Sequence, residues 1–451
     1  MDLTVETPAL RTLGSVIGSI IVVFSGLAAS AQTKTLSVAA YGAKCDGRTD
    51  DTSAFQAAST AASSSYKPGQ PPVVVTYTGT CLLNGSILVK SGVRWQGNGQ
   101  IRVLTQPKNP PPGGPHLTPS VYPTFFAINA DNVEWDNVDI AIETPGPDHP
   151  YASGIGWFAF GDSSRHSHIK VTNCRVSNFA WGIDVFYNDR GSSGSLTDVE
   201  IANNTVTSVV TPPAVYSDQN WDGIHVAGNI TNVAIHDNTV MHRGDAAIAL
   251  TSESSDRILS QAKIENNKVL NDRVGIDISG VHDVDVSGNF VQATHPDQHW
   301  GLLAYRQIYY NGVYPVGIHT HNNHFESGQG SAGFTAKIDP ASGGPSWPPL
   351  SSTFENNTIA GPMNPLYVRG NGITVEGNTF NNGGQLFIDY FAKGSRIASS
   401  NIRIGTNRWV GDAEVRVAAD PSLIKDVTVA PQTASGRAKV TNSRNVRMVP
   451  K

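Results

Sequence analysis

Val199-Glu200-Ile201-Ala202-Asn203-Asn204-Thr205-Val206 sets a pattern that recurs through much of the chain. Apolar residues alternate up to an Asn, and residues 233–240, 262–269 and 284–291 repeat the pattern. The marker Asn residues lie 21 to 34 residues apart, which is typical of stacked coils whose loops differ in length, so the sequence predicts a β-solenoid. We expect these amides to be structural, in left-handed turns and stacked ladders. The markers are Asn204, Asn238, Asn267, Asn289, Asn323, Asn357 and Asn378.

A second group of strands alternates with the first, at residues 181–185, 222–226, 246–250, 274–278 and 300–304. Side chains alternate along a strand, so the aliphatic residues Ile183, Ile224, Ile248 and Ile276 are predicted to point into the coil. The residues that follow them then point outward, and coils stacked about 4.8 Å apart would align them in a column on one face. This outward column is predicted to contain Asp184, His225, Ala249 and Asp277.

Composition narrows the class of protein. The 451 residues include 39% hydrophobic residues and 44 Gly, with a formal net charge of −5. Such a chain can bury a large core, and its Gly content together with the strand patterns favours an all-β architecture. The weak net charge carries no strong field, so we expect no nucleic-acid partner.

The N-terminus carries the pattern of an export signal. An apolar run at residues 16–27 follows Arg11 and precedes Ala29-Ser30-Ala31, a small-x-small cleavage pattern. We predict a signal peptide at residues 1–31, a secreted or periplasmic protein and no membrane contact after cleavage. The alternative is an uncleaved N-terminal anchor.

Three cysteines follow the predicted signal peptide, and an exported chain meets an oxidising compartment. Cys45 and Cys81 both lie near the N-terminal end, so we expect them to form a disulfide. Cys174 is then left as a buried small hydrophobic residue. Their spacing does not suit zinc, and we predict no metal site.

Residues 37–58 read as a strand, a Gly-containing turn and a helix with an apolar stripe at Ala54, Phe55 and Ala58. Thr49, Asp50 or Asp51 suits the helix N-cap. The stretch resembles the N-terminal motif of the pectate-lyase-like superfamily, which includes polygalacturonases, rhamnogalacturonases and phage tailspikes. The resemblance implies a single right-handed parallel β-helix, here residues 32–420, with an N-terminal capping helix. Beyond Ala419 the pattern is lost, and we expect a C-terminal tail at residues 421–451.

Two further motifs resemble the catalytic region of the polygalacturonases. Asn220-Trp221-Asp222-Gly223 matches three of four positions of the family's Asn-Thr-Asp-Gly motif, and Gly244-Asp245 matches the start of Gly-Asp-Asp-Cys-Ile-Ala-Ile. The resemblance implies a base-side carboxylate at Asp222 and a general acid at Asp245. The motif is degenerate, because Ala246 replaces the second carboxylate of that pair and Val274 replaces a His. Leu303 and Tyr305 fall where the family has a substrate-binding Arg and Lys.

Hydrolysis of a glycosidic bond requires two carboxyl groups, one to protonate the leaving oxygen and one to activate water. Asp184 and Asp277 are candidates for the missing partner of Asp222 and Asp245. The candidate substrate-binding residues are His225, Arg243, Arg273, Trp221, Trp300 and Tyr305, the last three as flat platforms for sugar rings.

The sequence therefore predicts a monomeric glycoside hydrolase that acts on a polysaccharide without a cofactor. One alternative is a calcium-dependent lyase, with Arg273 as base beside the acidic ligands Asp184, Asp222 and Asp245. A second alternative, favoured by Ala246 and the missing His, is a glycan-binding β-helix without catalytic activity.

Overall fold

The computed structural model describes residues 33–104, 122–142, 152–159, 162–187, 193–208, 221–294, 302–328, 333–339, 347–361, 364–390, 397–418, 420, 422–441 and 446–450. The predicted signal peptide, residues 1–31, lies outside them. No helix in these ranges has both the length and the apolar character needed to cross a membrane.

Within the described residues the strands form two parallel sheets wound from successive coils. Each coil gives one strand to a 13-stranded sheet, which we call the front sheet. Its strands are Ile87–Val89, Tyr122–Ile128, Ala152–Ala159, Trp181–Tyr187, Ile224–Gly228, Ala246–Thr251, Val274–Ser279, Leu303–Ile308, Phe334–Asp339, Asn364–Val368, Gly384–Ile388, Ala413–Val417 and Ala438–Thr441.

Most coils give the other sheet a longer strand and then a shorter one, and together these make 27 described strands. They are Thr35–Ser37, Asp46–Asp50, Val73–Leu83, Val93–Val103, Val133–Asp136, Asp139–Ile142, Arg165–Thr172, Arg175–Ser177, Ser195–Ala202, Thr205–Thr207, Ile230–His236, Thr239–Met241, Ser260–Glu265, Lys268–Leu270, His282–Ser287, Phe290–Ala293, Val316–His321, His324–Ser327, Ser352–Glu355, Thr358–Ala360, Asn371–Glu376, Thr379–Phe380, Ser399–Ile404, Arg408–Trp409, Ile424–Val429, Thr433–Ala434 and Val446–Met448.

The interior of the coils is apolar and closely packed. Ile183, Ile224, Ile248 and Ile276 are completely buried and pair across adjacent strands of the front sheet. Val, Ile and Leu from the other sheet meet them in one continuous core. Burial of each such side chain contributes about 1.5–3 kcal/mol, so the stacked aliphatic rows supply much of the stability.

The marker Asn residues form a continuous chain of buried amides, which we call the amide ladder. Asn204 donates its backbone N–H and its Nδ2–H to Asn238 Oδ1, both at 2.9 Å. The pattern repeats coil by coil and extends one coil further than the sequence pattern, to Asn407. The left-handed residue is the one before the marker, as at Asn203 (φ 57°), so the marker itself is free to point inward.

The helix Thr52–Ser65 packs against the first coils. Its Phe55 ring is buried and stacks on Trp95 at 5.2 Å between ring centroids. Asp50 accepts a hydrogen bond from Thr52 N at 3.0 Å, whereas the buried Asp51 carboxylate accepts bonds from Lys44 N and Cys45 N at 2.7 and 3.1 Å. The function of this helix as an end cap stays a prediction.

Cys45 and Cys81 form a disulfide next to Asp51, and Cys174 is a free, buried cysteine.

The expectation of a separate tail from residue 421 is wrong. The strand Ile424–Val429 pairs in parallel with Ser399–Ile404, and Val427 and Val429 are buried in the core. Ala438–Thr441 extends the front sheet by one more strand. The sequence pattern was missed here because Lys425-Asp426 interrupts the apolar alternation, with Asp426 in a left-handed conformation (φ 50°).

Candidate functional site

Strand pairing in the front sheet places the outward residues of four coils side by side. Asp184 pairs with His225, His225 with Ala249, and Ala249 with Asp277. Asp222 and Asp245 come just before the strands Ile224–Gly228 and Ala246–Thr251, so they lie at the edge of the same surface. We call Asp184, Asp222, Asp245 and Asp277 the acid cluster.

Asp184 and His225 form a pair within this cluster. The distance from His225 Nδ1 to Asp184 Oδ1 is 3.0 Å, and the two side chains are 16% and 7% exposed. Burial alone would lower the pKa of His225, but the hydrogen bond to Asp184 and the charges of Asp184 and Asp222 outweigh it and raise the pKa to about 9. His225 is therefore a cation at neutral pH, bound to a carboxylate.

Asp222 has a different environment. Its Oδ1 accepts a hydrogen bond from the backbone N–H of Ala246 at 2.9 Å. Burial and the nearby charge of Asp245 raise the pKa of Asp222 to about 7, although the positive charge of His225 opposes the shift. A carboxyl group with this pKa is partly protonated at neutral pH and can donate a proton.

Asp245 is held by an arginine. Arg273 Nη2 donates to Asp245 Oδ1 at 2.6 Å, and the Arg273 side chain is 8% exposed. Burial raises the pKa of Asp245, while the positive charges of Arg273 and Arg306 oppose that rise. Asp222 and Asp245 are thus neighbouring carboxyl groups with unlike partners, a backbone amide for one and a guanidinium for the other.

Asp277 completes the cluster with a partner that the sequence analysis missed. Arg306 Nη2 lies 2.5 Å from Asp277 Oδ2, and Ser279 Oγ donates to Asp277 Oδ1 at 3.0 Å. Arg306 pairs with Asp277 across adjacent strands, so it continues the outward column. The sequence analysis had instead placed Leu303 and Tyr305 where the family has its substrate-binding Arg and Lys, an error of register that passed over Arg306.

The same register error explains why the substrate-binding assignment of Tyr305 is wrong. Tyr305 pairs with the inward residue Ile276 and is completely buried. Its hydroxyl group lies 2.7 Å from Thr320 Oγ1 inside the coil, and its ring packs against Phe325 at 5.2 Å. The ring is part of the core and offers no face to a sugar.

Arg243 is also interior, contrary to its predicted role in substrate binding. The residue is completely buried, and its Nη2 donates to the backbone oxygens of Phe179, Ala180 and Asp222. Its own backbone N–H donates to Asp272 Oδ1 at 2.6 Å. Arg243 therefore ties together the backbones of neighbouring coils beneath the acid cluster.

Aromatic side chains lie at the edge of the acid cluster. Trp221 and Trp181 are half-buried and stacked, with ring centroids 5.6 Å apart and planes 7° from parallel. Tyr310 is 41% exposed. Partial burial raises the pKa of its hydroxyl group most, and the negative charges of Glu253, Asp277 and Asp222 raise it further. The predicted platform residue Trp300 lies outside the described residues.

The acid cluster does not fit a calcium ion. Calcium takes six to eight oxygen ligands, whereas Asp184, Asp245 and Asp277 are each bound by a basic side chain of the protein. Among the described residues, the ligand atoms of three or more His, Cys, Asp or Glu converge only at Cys45, Asp51 and Cys81, where the two cysteines are joined. The calcium-dependent alternative therefore finds no preformed set of ligands in the described part of the chain.

Comparison with known proteins identifies the fold. No protein-family model matches the chain, and no curated protein is detectably similar to it in sequence. Solved structures do match. The tailspike protein of Escherichia coli bacteriophage HK620, solved with a pentasaccharide, is 12% identical with a TM-score of 0.56, and the alignment covers 92% of this chain and 80% of the tailspike.

Two other structures match at similar levels. The A-module of the Azotobacter vinelandii mannuronan C-5 epimerase AlgE6 is 11% identical with a TM-score of 0.54, over 92% of this chain and 99% of the module. PfbA, a surface adhesin of Streptococcus pneumoniae, is 14% identical with a TM-score of 0.51, over 90% of this chain and 93% of the adhesin. Likeness at these identities shows the fold, and the predicted pectate-lyase-like parallel β-helix is confirmed.

Proposed function

We propose that this chain, which has the pectate-lyase-like parallel β-helix fold, is a polysaccharide hydrolase that reacts at the acid cluster of the front sheet. One observation carries the proposal. Asp222 and Asp245 are neighbouring carboxyl groups, and only Asp245 is bound to a guanidinium, at 2.6 Å, whereas Asp222 accepts a backbone N–H at 2.9 Å. Such unlike environments allow one group to hold a proton while the other is ionised.

The two carboxyl groups then have complementary roles. Asp222 donates its proton to the glycosidic oxygen as the bond from that oxygen to the anomeric carbon breaks. A water molecule attacks the same carbon, and Asp245 accepts the proton that this water loses. One glycosidic bond is lost, one new bond from carbon to oxygen forms, and a new reducing end is released.

These roles are the reverse of those carried over from the polygalacturonase motif. The motif assigned the general acid to Asp245 and the base side to Asp222. Arg273 stabilises the ionised form of Asp245, so that residue is better suited to accept a proton. Burial favours the protonated form of Asp222, so Asp222 is the better proton donor.

Asp184 and Asp277 support the reaction through their charged partners. The positive charge of His225 lowers the pKa of both Asp222 and Asp245. The positive charge of Arg306 lowers the pKa of Asp245, and the two carboxylates in turn raise the pKa of Arg306. Both cations position the charges of the cluster and can donate hydrogen bonds to sugar hydroxyl groups. The stacked Trp181 and Trp221 rings supply an apolar platform for a sugar at one side.

Export is part of this proposal. The predicted signal peptide at residues 1–31 and the disulfide between Cys45 and Cys81 both suit an oxidising compartment outside the cytoplasm.

The test is incubation of the chain with neutral and uronic polysaccharides. New reducing ends without the absorbance of an unsaturated uronate are expected, together with loss of activity by about 100-fold or more in Asp222→Asn, because proton transfer contributes about 10²–10⁴-fold. The matched control is Asp256→Asn, at an exposed carboxylate, which should keep full activity. Unsaturated product would contradict hydrolysis, and binding without any product would favour a glycan-binding protein.

A further inference from the structure

The front sheet also contains a polar hollow, which is remote from the acid cluster. It has a volume of about 650 Å³ and lies over the strands Asn364–Val368, Gly384–Ile388, Ala413–Val417 and Ala438–Thr441. We call it the distal hollow. A volume of this size is within the range of ligand sites, about 300–1,000 Å³.

The distal hollow lies on the same face as the acid cluster. The outward column continues from Asp277 through Arg306, Lys337, Tyr367 and Phe387. Gln385 comes two residues before Phe387 on the same strand, so both side chains point outward. Asp277 and Gln385 lie four strands apart, which is about 19 Å at a spacing of about 4.8 Å.

Small residues line part of the hollow. Gly384, Ala413 and Ala438 pair with one another across three adjacent strands. In earlier coils the equivalent row contains larger residues, such as Val274 and Leu303. Gly384, Ala413 and Ala438 all line the hollow, and Ala438 is the exposed member of the row, at which a larger side chain would enter the hollow.

That next row is polar and held in place. Gln385, Glu414 and Lys439 pair across the same strands. Gln385 Nε2 donates to Glu414 Oε2 at 2.6 Å, Thr441 Oγ1 donates to Glu414 Oε1 at 2.8 Å, and Lys439 Nζ lies 3.3 Å from Glu414 Oε2. These contacts fix the carboxylate, which is 14% exposed, at the wall of the hollow.

The chemistry of the wall suits a sugar. A carboxylate, a primary amide and an ammonium group offer both acceptors and donors to hydroxyl groups. Phe387, one step along the strand, is half-buried, and the Arg416 guanidinium carbon lies 5.4 Å from the centroid of its ring. The hollow thus offers fixed hydrogen-bonding groups, and an aromatic side chain lies two residues further along one of its strands.

We propose that the distal hollow is an anchoring site that binds a second stretch of the polysaccharide chain extended along the front sheet. The inference rests on the proposed polysaccharide function, although it does not require hydrolysis. Its consequence is a preference for long chains. A polymer reaches both the acid cluster and the hollow, which raises its affinity through a second, intramolecular contact, whereas a trisaccharide is too short to reach both.

The test measures binding of the full chain to polygalacturonate, mannuronan and a neutral galactan, each as polymer and as its trisaccharide. Two variants disable the hollow by different means. Glu414→Gln removes the fixed charge, and Ala438→Leu fills the space at an exposed position. Both are expected to weaken binding of the preferred polymer by about tenfold, the change that corresponds to one hydrogen bond to a charged group. Trisaccharide binding and turnover should not change.

The matched control is Glu355→Gln, the same chemical change on the other sheet, which should leave polymer binding unaltered. Unchanged polymer affinity in both hollow variants would overturn the anchoring site while leaving the hydrolase intact. Weakened polymer binding in a chain that releases no product would support the site and refute the hydrolase. A parent chain that binds none of the three polymers would refute both.

Discussion

Asp222 gives the proposed reaction a defined dependence on pH. As a proton donor it must be protonated, and its pKa is raised to about 7. Hydrolysis should therefore fall as pH rises above about 7. It should also fall toward acid pH, as Asp245 becomes protonated through a pKa that burial raises above its usual value. The measurement is kcat/KM as a function of pH, which reports on the free enzyme. Activity that kept rising to pH 9 would contradict the role of Asp222.

The same carboxyl group should reduce stability at neutral pH. Its pKa in the folded state, about 7, exceeds the value of 3.8 expected in the unfolded chain. The folded state therefore binds more protons between these values, and stability falls as pH rises through that range. Asp222→Asn removes the cost and should raise the free energy of unfolding at pH 8 by about 1 kcal/mol or more, since one pKa unit corresponds to about 1.4 kcal/mol.

Denaturant unfolding at pH 8 and pH 4 checks this effect. The gain should be absent at pH 4, where Asp222 is protonated in the folded state. The control Asp256→Asn should bring no gain at pH 8, because hydrogen bonding from Ser254 lowers the pKa of that exposed carboxyl group. A variant Asp222→Asn less stable than the parent at pH 8 would show that its carboxylate is structurally required.

Single residues also show where sequence reasoning succeeded and where it failed. The outward positions of Asp184, His225 and Asp277 followed from alternation alone, because the same Gly-Ile pair precedes each of them. The strand Leu303–Ile308 lacks that pattern, and Leu302-Leu303-Ala304 offered an apolar run in the wrong register. Tyr305 was therefore placed outside and Arg306 was missed, although polar Arg306 between Tyr305 and Gln307 was the available signal.

The predicted substrate-binding role of Arg243 was wrong for a different reason. A charged residue beside an acidic motif is normally solvated, so burial of a whole guanidinium could not be expected from local sequence. Its ligands are backbone oxygens from other coils, and backbone oxygens carry no sequence signal. The pKa of Asp222 likewise depends on burial by several elements at once. The positions of the acidic residues were thus predictable, and their protonation states were not.

The amide ladder is the element that keeps the coils in register. Asn267 is 1% exposed and makes hydrogen bonds in both directions, accepting from Asn238 and donating to Asn289 and Ile235 O. Replacement by Ala removes the acceptor of the buried Asn238 backbone N–H and the side-chain donor to Ile235 O, and it removes the amide contact to Asn289. Because each buried polar group left unsatisfied costs about 1–3 kcal/mol, Asn267→Ala should lower the free energy of unfolding by about 3 kcal/mol or more.

Chemical denaturation of Asn267→Ala and of the control Asn98→Ala distinguishes the stability lost with the ladder from the stability lost with any side-chain amide. Asn98 lies exposed on the strand Val93–Val103, and its replacement should change stability by less than about 0.5 kcal/mol. Equal effects at the two positions would show that the ladder does not stabilise the stack.

For the whole molecule, the last coils belong to the body of the β-helix. Val427 and Val429 are buried against Ile402 and Ile404 of the preceding coil. A chain ending at Asp420 should therefore expose that apolar row and a long unpaired strand edge. We expect a lower melting temperature, binding of a hydrophobic dye and aggregation.

The control for this truncation is a chain that lacks only Pro450 and Lys451, which should behave like the parent in melting and dye binding. If the chain ending at Asp420 melted at the parent temperature without binding dye, residues 421–451 would be dispensable, as expected of a tail.

The amide ladder also gives the two ends of the molecule opposite character. Every side-chain oxygen in the ladder accepts a hydrogen bond from the preceding coil. An exposed end of the ladder can therefore pair only with the opposite end of a second copy. Such a head-to-tail contact does not close and leads to filaments. Gln432 ends the ladder at the C-terminal side. Its Oε1 accepts from Asn407, while its Nε2 turns back to Gly405 O and Ala430 O at 2.9 and 2.8 Å. The final amide thus donates to its own coil, at Ala430 O, and to the coil before it, at Gly405 O, which leaves it no N–H for another molecule.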